Sequence, residues 1–136
     1  MSSDRLYPSP DPGTAPYWKA ARDHKLMLPQ CLDCGKYHSY HRALCPFCSS
    51  ARLEWKRCSG HGAIYSFTEV FRAPSDAFAA DVPYVIAIVE LDEGPHLMTR
   101  LITADNKSTH VGQRVTVEFE DLDQEISLPG FKIDPA

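Results

Sequence analysis

The sequence has no long hydrophobic run. Its longest apolar stretch, Val82–Val89, contains Pro83 and Tyr84 and falls far short of the roughly 20 residues a membrane span needs. No membrane partner is therefore expected. Residues 1–16 carry Asp4, Asp11 and four prolines in place of an apolar core, so no secretory signal is read there and a cytoplasmic protein is expected. Cations are scarce too: 14 Lys and Arg stand against 18 Asp and Glu, a net charge of −4. That excludes a general nucleic-acid coater, whose phosphate contacts rest on Lys and Arg. The chain also lacks a Gly-rich phosphate loop, a His-Glu-x-x-His zinc-protease motif and a Gly-x-Ser-x-Gly elbow, which removes the commonest local signatures of catalysis.

What is present is cysteine in a pattern. Four of the five fall into two pairs, Cys31-Leu-Asp-Cys34 and Cys45-Pro-Phe-Cys48. Thiols of a reducing compartment are seldom disulfides. Two intervening residues let a tight turn aim both sulfurs at one point, and two such knuckles make a closed tetrahedral zinc site. Iron fits the same ligands, with zinc the commoner occupant. Four protein sulfurs leave no position for water, so one structural metal per chain is predicted rather than a catalytic one. His38 and His41 lie between the knuckles as alternative nitrogen donors. Gly35 follows the first knuckle where positive φ is often required; Ser49 follows the second and adopts that conformation less readily. Cys58 is left over. It reads as a buried strand residue, with a thiol activated by Lys56 and Arg57 as the alternative. Cys58 and His61 are the one local nucleophile-and-base candidate.

Three parts follow along the chain. Residues 1–15, with Pro8, Pro10, Pro12 and Gly13, read as an extended arm. Residues 16–60 hold a short helix from Pro16 to about Leu26 and then the cysteine ribbon. Residues 61–136 turn to strands at Ala63–Phe71, Tyr84–Leu91, Leu97–Thr103, Arg114–Glu120 and Phe131–Ile133, rich in β-branched and aromatic residues. The fold class is thus mainly β. Five strands fit a Greek-key barrel such as an OB-fold, with an SH3-like barrel as the alternative.

Charge divides at the same place. Residues 17–62 hold 8 Lys or Arg and 3 Asp or Glu, whereas residues 63–136 hold 5 and 13. An acidic barrel makes a poor single-strand groove, which needs cations beside its aromatics. Tyr65, Phe67 and Phe71 offer a stacking platform on one strand, with core or interface as the competing assignment. Lys36, Arg42, Lys56 and Arg57 mark the basic ribbon surface. The link Arg72–Pro83 is long for a compact barrel, and Phe78 within it is a candidate partner anchor, with folding back over the open end of its own barrel as the alternative.

Several segments together carry a family resemblance: Tyr17-Trp18-Lys19, Cys31-x-x-Cys34-Gly35-Lys36, Cys45-Pro46-x-Cys48, Gly60-His61-Gly62-Ala63-Ile64-Tyr65-Ser66-Phe67-Thr68, Pro83–Gly94 and Val111-Gly112-Gln113-Arg114-Val115. In these the chain resembles the acyl-CoA-associated zinc-ribbon/OB-fold family, domain of unknown function 35, over roughly residues 16–133. The resemblance implies an N-terminal helix, a rubredoxin-like zinc ribbon and a five-stranded OB-fold barrel. It also implies an accessory subunit in a hetero-oligomer with a thiolase-like enzyme, or with an aldolase or hydratase, in acyl-CoA chemistry. The catalytic residues would then belong to the partner. Two departures stand out: Tyr40-His41-Arg42-Ala43-Leu44 stands where the family often has a Pro pair before the second knuckle, and Ser49 stands where it usually has Gly after it. On this reading the basic residues Lys36, Arg42, Lys56 and Arg57 face the phosphates of a CoA ester. A free nucleic-acid-binding module is the competing function.

Overall fold

The computed structural model describes residues 7–102 and 109–135. It contains α1 (Ala15–Arg22), the strands β1 (Met27–Cys31) and β2 (Leu53–Arg57), and five barrel strands. These are β3 (His61–Val70), β4 (Tyr84–Leu91), β5 (His96–Leu101), β6 (Arg114–Asp121) and β7 (Ser127–Ile133). The expected third barrel strand ran to Thr103, which lies outside the described residues.

Helix α1 starts on Thr14, whose amide is held by Asp11 Oδ1 at 2.8 Å, and Pro16 occupies its first turn. It stops four residues earlier than the periodicity predicts. His24 takes a left-handed conformation with φ 60. The His24 amide then donates to the Ala21 carbonyl and the Lys25 amide to that of Ala20, both at 2.9 Å. This is the Schellman closure that glycine usually provides.

The two ribbon strands are antiparallel, with Met27 opposite Arg57 and Cys31 opposite Leu53. The barrel closes in the order β3-β4-β5-β7-β6, and β6 returns to pair with the start of β3. All its pairings are antiparallel except β5 with β7, at Leu101 and Phe131. That order is the Greek-key barrel of an OB-fold, and it decides against the SH3-like alternative.

One apolar core joins ribbon root and barrel. Phe131, Val89 and Val115 are fully buried beside Ile64, Val85 and Leu91, and Leu26, Leu28 and Cys58 belong to the same cluster. Gly60 and Gly62 make the junction tight. A Cβ on Gly60 would lie 2.5 Å from Val117 Cγ1, and one on Gly62 2.5 Å from the Glu90 carbonyl oxygen. Among the described residues no helix is long and apolar enough to cross a membrane.

Candidate metal centre and interdomain cleft

The two knuckles are built alike. In the first, the Gly35 amide donates to the Cys31 carbonyl at 2.9 Å and the Cys31 amide to that of Lys36 at 2.9 Å. In the second, Ser49 donates to Cys45 at 2.9 Å and Cys45 to Ser50 at 2.8 Å. The turn residue has φ 79 at Gly35 and φ 66 at Ser49, so serine adopts the conformation that glycine serves in the first knuckle. Amide N–H groups of Cys34 and Phe47 point at Cys31 Sγ and Cys45 Sγ, each at 3.4 Å.

The four sulfurs converge. All lie within 4.8 Å of one another, with Cys31 to Cys48 at 3.5 Å and Cys34 to Cys45 at 3.7 Å. Metal–sulfur bonds of about 2.3 Å span a tetrahedron with edges of about 3.8 Å, so the donor set fits such an ion. The electrostatics agree. The Cys34 amide draws the Cys31 thiol down to about 6, whereas Cys48 is pushed up to about 12, despite the Ser50 amide, by its closeness to Cys31. Thiolates this close repel, and a divalent cation lets all four ionise together.

Neither intervening histidine joins the site. His38 is buried, and its Nδ1 donates to the Tyr40 carbonyl at 2.6 Å. His41 stacks on Trp55, with ring centroids 5.9 Å apart and planes 9° from parallel. Both hold the loop between the knuckles rather than a metal.

Cys58 lies one residue beyond β2 and is buried, its amide donating to the Leu26 carbonyl at 2.8 Å. Burial, reinforced by the Glu93 carboxylate, pushes its thiol up to about 12. Burial in the shared core favours the inert strand residue over an activated nucleophile, since charging a thiol in apolar surroundings is costly even beside Lys56 and Arg57. His61 Nδ1 instead meets Thr116 Oγ1 at 3.2 Å.

The four basic ribbon residues occupy different settings. Lys36 Nζ sits over the Phe47 ring at 4.8 Å, and Lys56 is 3.1 Å from Glu54. Arg57 follows Lys56 in β2, so the two point to opposite faces. Arg42 is exposed in the loop before the second knuckle. Phe78 ends a short 3₁₀ turn, half-buried, with its ring 6.1 Å from that of Tyr84. Of the aromatics Tyr65 and Phe67 of β3 and Phe71 just beyond it, none is core. Tyr65, Phe67 and Phe71 are 57, 40 and 72% exposed, and an irregularity in register between Ile64 and Ser66 breaks their alternation.

A second feature escaped sequence reasoning altogether. α1, the inter-knuckle loop, β2 and β5 surround a cleft of 280 Å³. Its walls come from residues far apart in the chain, and no local pattern announces them. The loop is tied across by Ser39 Oγ, which donates to the His96 carbonyl. α1 is tied to the far side of the barrel, where Asp121 Oδ1 accepts from Ser127 Oγ at 2.5 Å and meets His24 Nε2 at 2.8 Å and Arg22 Nη1 at 3.3 Å.

Comparison with known proteins places this architecture. Residues 18–54 match the family model "ChsH2, rubredoxin-like zinc ribbon domain", and residues 55–120 match "ChsH2, C-terminal OB-fold domain". A DUF35 domain-containing scaffold protein of Methanothermobacter thermautotrophicus is 35% identical over 117 residues, which is 82% of this chain and 87% of that protein. The chain belongs to the DUF35 family. A probable enoyl-CoA hydratase alpha subunit of Thermomonospora curvata is 30% identical over 116 residues, 85% of this chain. The chain spans only 36% of that relative's length. A 3-oxo-4,17-pregnadiene-20-carboxyl-CoA hydratase alpha subunit of Mycobacterium tuberculosis is 31% identical over 117 residues, and the chain spans 37% of it. Among solved structures, a chain of the "Ltp2-ChsH2(DUF35) aldolase" superposes with a TM-score of 0.81 at 29% identity, over 93% of this chain and 98% of that one. A DUF35 protein from Sulfolobus solfataricus, with a TM-score of 0.63 at 16% identity over 90% of this chain and 86% of that one, shares the fold.

Proposed function

We propose that this DUF35 chain is a non-catalytic scaffold subunit of an acyl-CoA-processing complex, docking a thiolase-like enzyme and helping to form its acyl-CoA site. The observation that carries the reading is the combined zinc ribbon and closed barrel, matched over 82% of the chain by a protein called a DUF35 scaffold protein and over 93% by a chain of the Ltp2-ChsH2(DUF35) aldolase. Two relatives named as CoA hydratase alpha subunits support the acyl-CoA setting. The one local nucleophile-and-base candidate, Cys58 with His61, is held apart from that role by burial of the thiol and by the histidine's contact with Thr116.

In this reading one zinc per chain is held by Cys31, Cys34, Cys45 and Cys48. It supplies folding free energy to the ribbon rather than chemistry, since no coordination position is left open. Lys36, Arg42, Lys56 and Arg57 contribute, from more than one face of the ribbon, to a positive field for CoA phosphates at the joint opening. Phe78 anchors the partner with the part of its ring that Tyr84 leaves uncovered.

The test is kinetic. A thiolase-like enzyme from the same host, assayed for acyl-CoA turnover, should gain activity when this chain is added, while the chain alone shows none. Charge reversal at the four basic positions should raise KM for the acyl-CoA and flatten its salt dependence. Turnover indifferent to the chain would overturn the reading. Unchanged kinetics across a salt series would overturn the phosphate contact alone.

A further inference from the structure

Helix, ribbon and barrel meet around the 280 Å³ cleft, whose walls are mainly aromatic rings with Leu97 and Met98, and with the Thr14 and Ser39 hydroxyls at their edge. Trp18 of α1, Tyr40 and His41 of the loop, Trp55 of β2, and Leu97 and Met98 of β5 line it. Large apolar surface is left open there: Tyr40 and Met98 are each 61% exposed. The rings of His41 and Trp55 already lie 9° from parallel, which shows that flat groups pack face to face in this region.

Among the described residues no Asp, Glu, Lys or Arg lines the cleft. A charged ligand would give up part of its hydration there and, the His41 imidazole apart, find no ionisable partner of opposite sign in the walls. The Tyr17 phenol, also in the wall, is pushed up to about 12 by burial and by facing Tyr40, so it too stays neutral. The volume lies just under the range of about 300–1,000 Å³ typical of small-molecule sites, and the position at a domain junction is where such sites concentrate. The walls are held from outside. His38 fixes the Tyr40 carbonyl, Ser39 ties the loop to His96, and Asp121 ties α1 to the barrel. Such fixing lowers the ordering cost that a ligand would otherwise meet.

We infer that this cleft is a binding site for a neutral, compact, planar ring system, taken up by stacking against the tryptophans and Tyr40. The identification of that ring with the acyl portion of a thioester substrate rests on the scaffold reading above. The phosphates of the carrier are then excluded from the cleft and lie outside it.

Trp18 and Trp55 are the only two tryptophans of the chain, and both line the cleft. Their two indole N–H signals in a ¹⁵N–¹H correlation spectrum of the zinc-loaded chain therefore report on this site alone. Methyl 2-naphthoate should shift both signals saturably. Naphthalene-2-sulfonate, with the same rings but a charge, should not, and methyl decanoate, neutral but linear, should bind far more weakly. Met98→Glu, at an exposed position that tolerates the side chain, should weaken naphthoate binding about tenfold or more by replacing the apolar thioether against the ring with a hydrated carboxylate. Phe71→Ser, an equally exposed apolar change outside the cleft, should leave binding as it is. Absence of a saturable shift up to the solubility limit would overturn the site. So would Met98→Glu binding as tightly as the parent. Equal binding of the decanoate or the sulfonate would overturn the ligand class. The titration needs no partner, so its failure leaves the scaffold reading standing, and loss of the partner effect leaves the titration unaltered.

Discussion

Ser49 is the residue at which sequence and geometry disagree most plainly. Its φ of 66 is the conformation that Gly35, at φ 79, adopts in the first knuckle. An L residue pays roughly 1 kcal/mol for that region. Ser49→Gly should therefore raise stability by up to about 1 kcal/mol, offset in part by the extra freedom glycine has when unfolded; thermal melting of the zinc form reads it. Cys58 offers a second test at this scale. A thiol buried in the shared core and pushed up to about 12 should be inert to iodoacetamide in the folded, zinc-loaded protein at pH 8 and should react once the chain is unfolded. Labelling of Cys58 in the native state would contradict its placement. Its inertness was half legible in the sequence: the surrounding strand pattern suggested burial, while adjacent cations suggested activation. Burial decides, because its cause is the packing of Leu26, Leu28 and the barrel, which adjacency in sequence does not show.

At the scale of elements, α1 and its anchor are the clearest case of distant control. The helix was expected to run to about Leu26, and its apolar spacing supports that reading. It ends at Arg22 because His24 turns left-handed, stacks on Phe119 with ring centroids 5.3 Å apart, and reaches Asp121. Nothing near residue 24 encodes a partner almost a hundred positions away. The Ser127 hydroxyl, then His24 and Arg22, hold the Asp121 carboxyl below its ordinary range. A carboxyl depressed in the folded state contributes stability in full above its unfolded value of about 3.9, and that contribution is lost as pH falls through its lower folded value. The advantage of the wild type over Asp121→Asn should be present at about pH 5 and shrink as pH falls below about 4. A gap that stays constant down to pH 2 would show that charge plays no part. The Gly60–Gly62 junction gives a steric counterpart. A Cβ on Gly62 would meet the β4 backbone at 2.5 Å, and backbone yields less readily than a side-chain tip. Gly62→Ala should cost about 1–3 kcal/mol in chemical denaturation, the usual range for overpacking.

Across the whole molecule, the elements were legible where their causes are local. The knuckle cysteines sit at a spacing that fixes their geometry, and strands β3, β4 and β6 follow runs rich in Ile, Val, Phe and Tyr, whereas β7, with Pro129 and Gly130 inside it, begins at Ser127, four residues before the expected Phe131. The closing order β3-β4-β5-β7-β6 was anticipated only through strand count and family likeness, since register is a property of pairs. The cleft was invisible, because Trp18, Tyr40, Trp55 and Met98 meet only after ribbon and barrel share a core. That shared core makes zinc matter beyond its own knuckles. Removal of the metal with a chelator should melt the ribbon and, through Leu26 and Leu28, lower the melting temperature of the barrel as well. An unchanged barrel transition would mean that the two parts are energetically separate.

The proposal that joins these scales is that a zinc-ribbon chain of this family holds another enzyme. Native mass spectrometry of this chain co-expressed with a thiolase-like enzyme of its host tests it most directly. A hetero-oligomer is expected in which every copy of this chain carries the mass of one zinc ion, and which falls apart when zinc is removed. Separate masses for the two proteins under conditions where each is folded, or a chain that carries no metal, would contradict it.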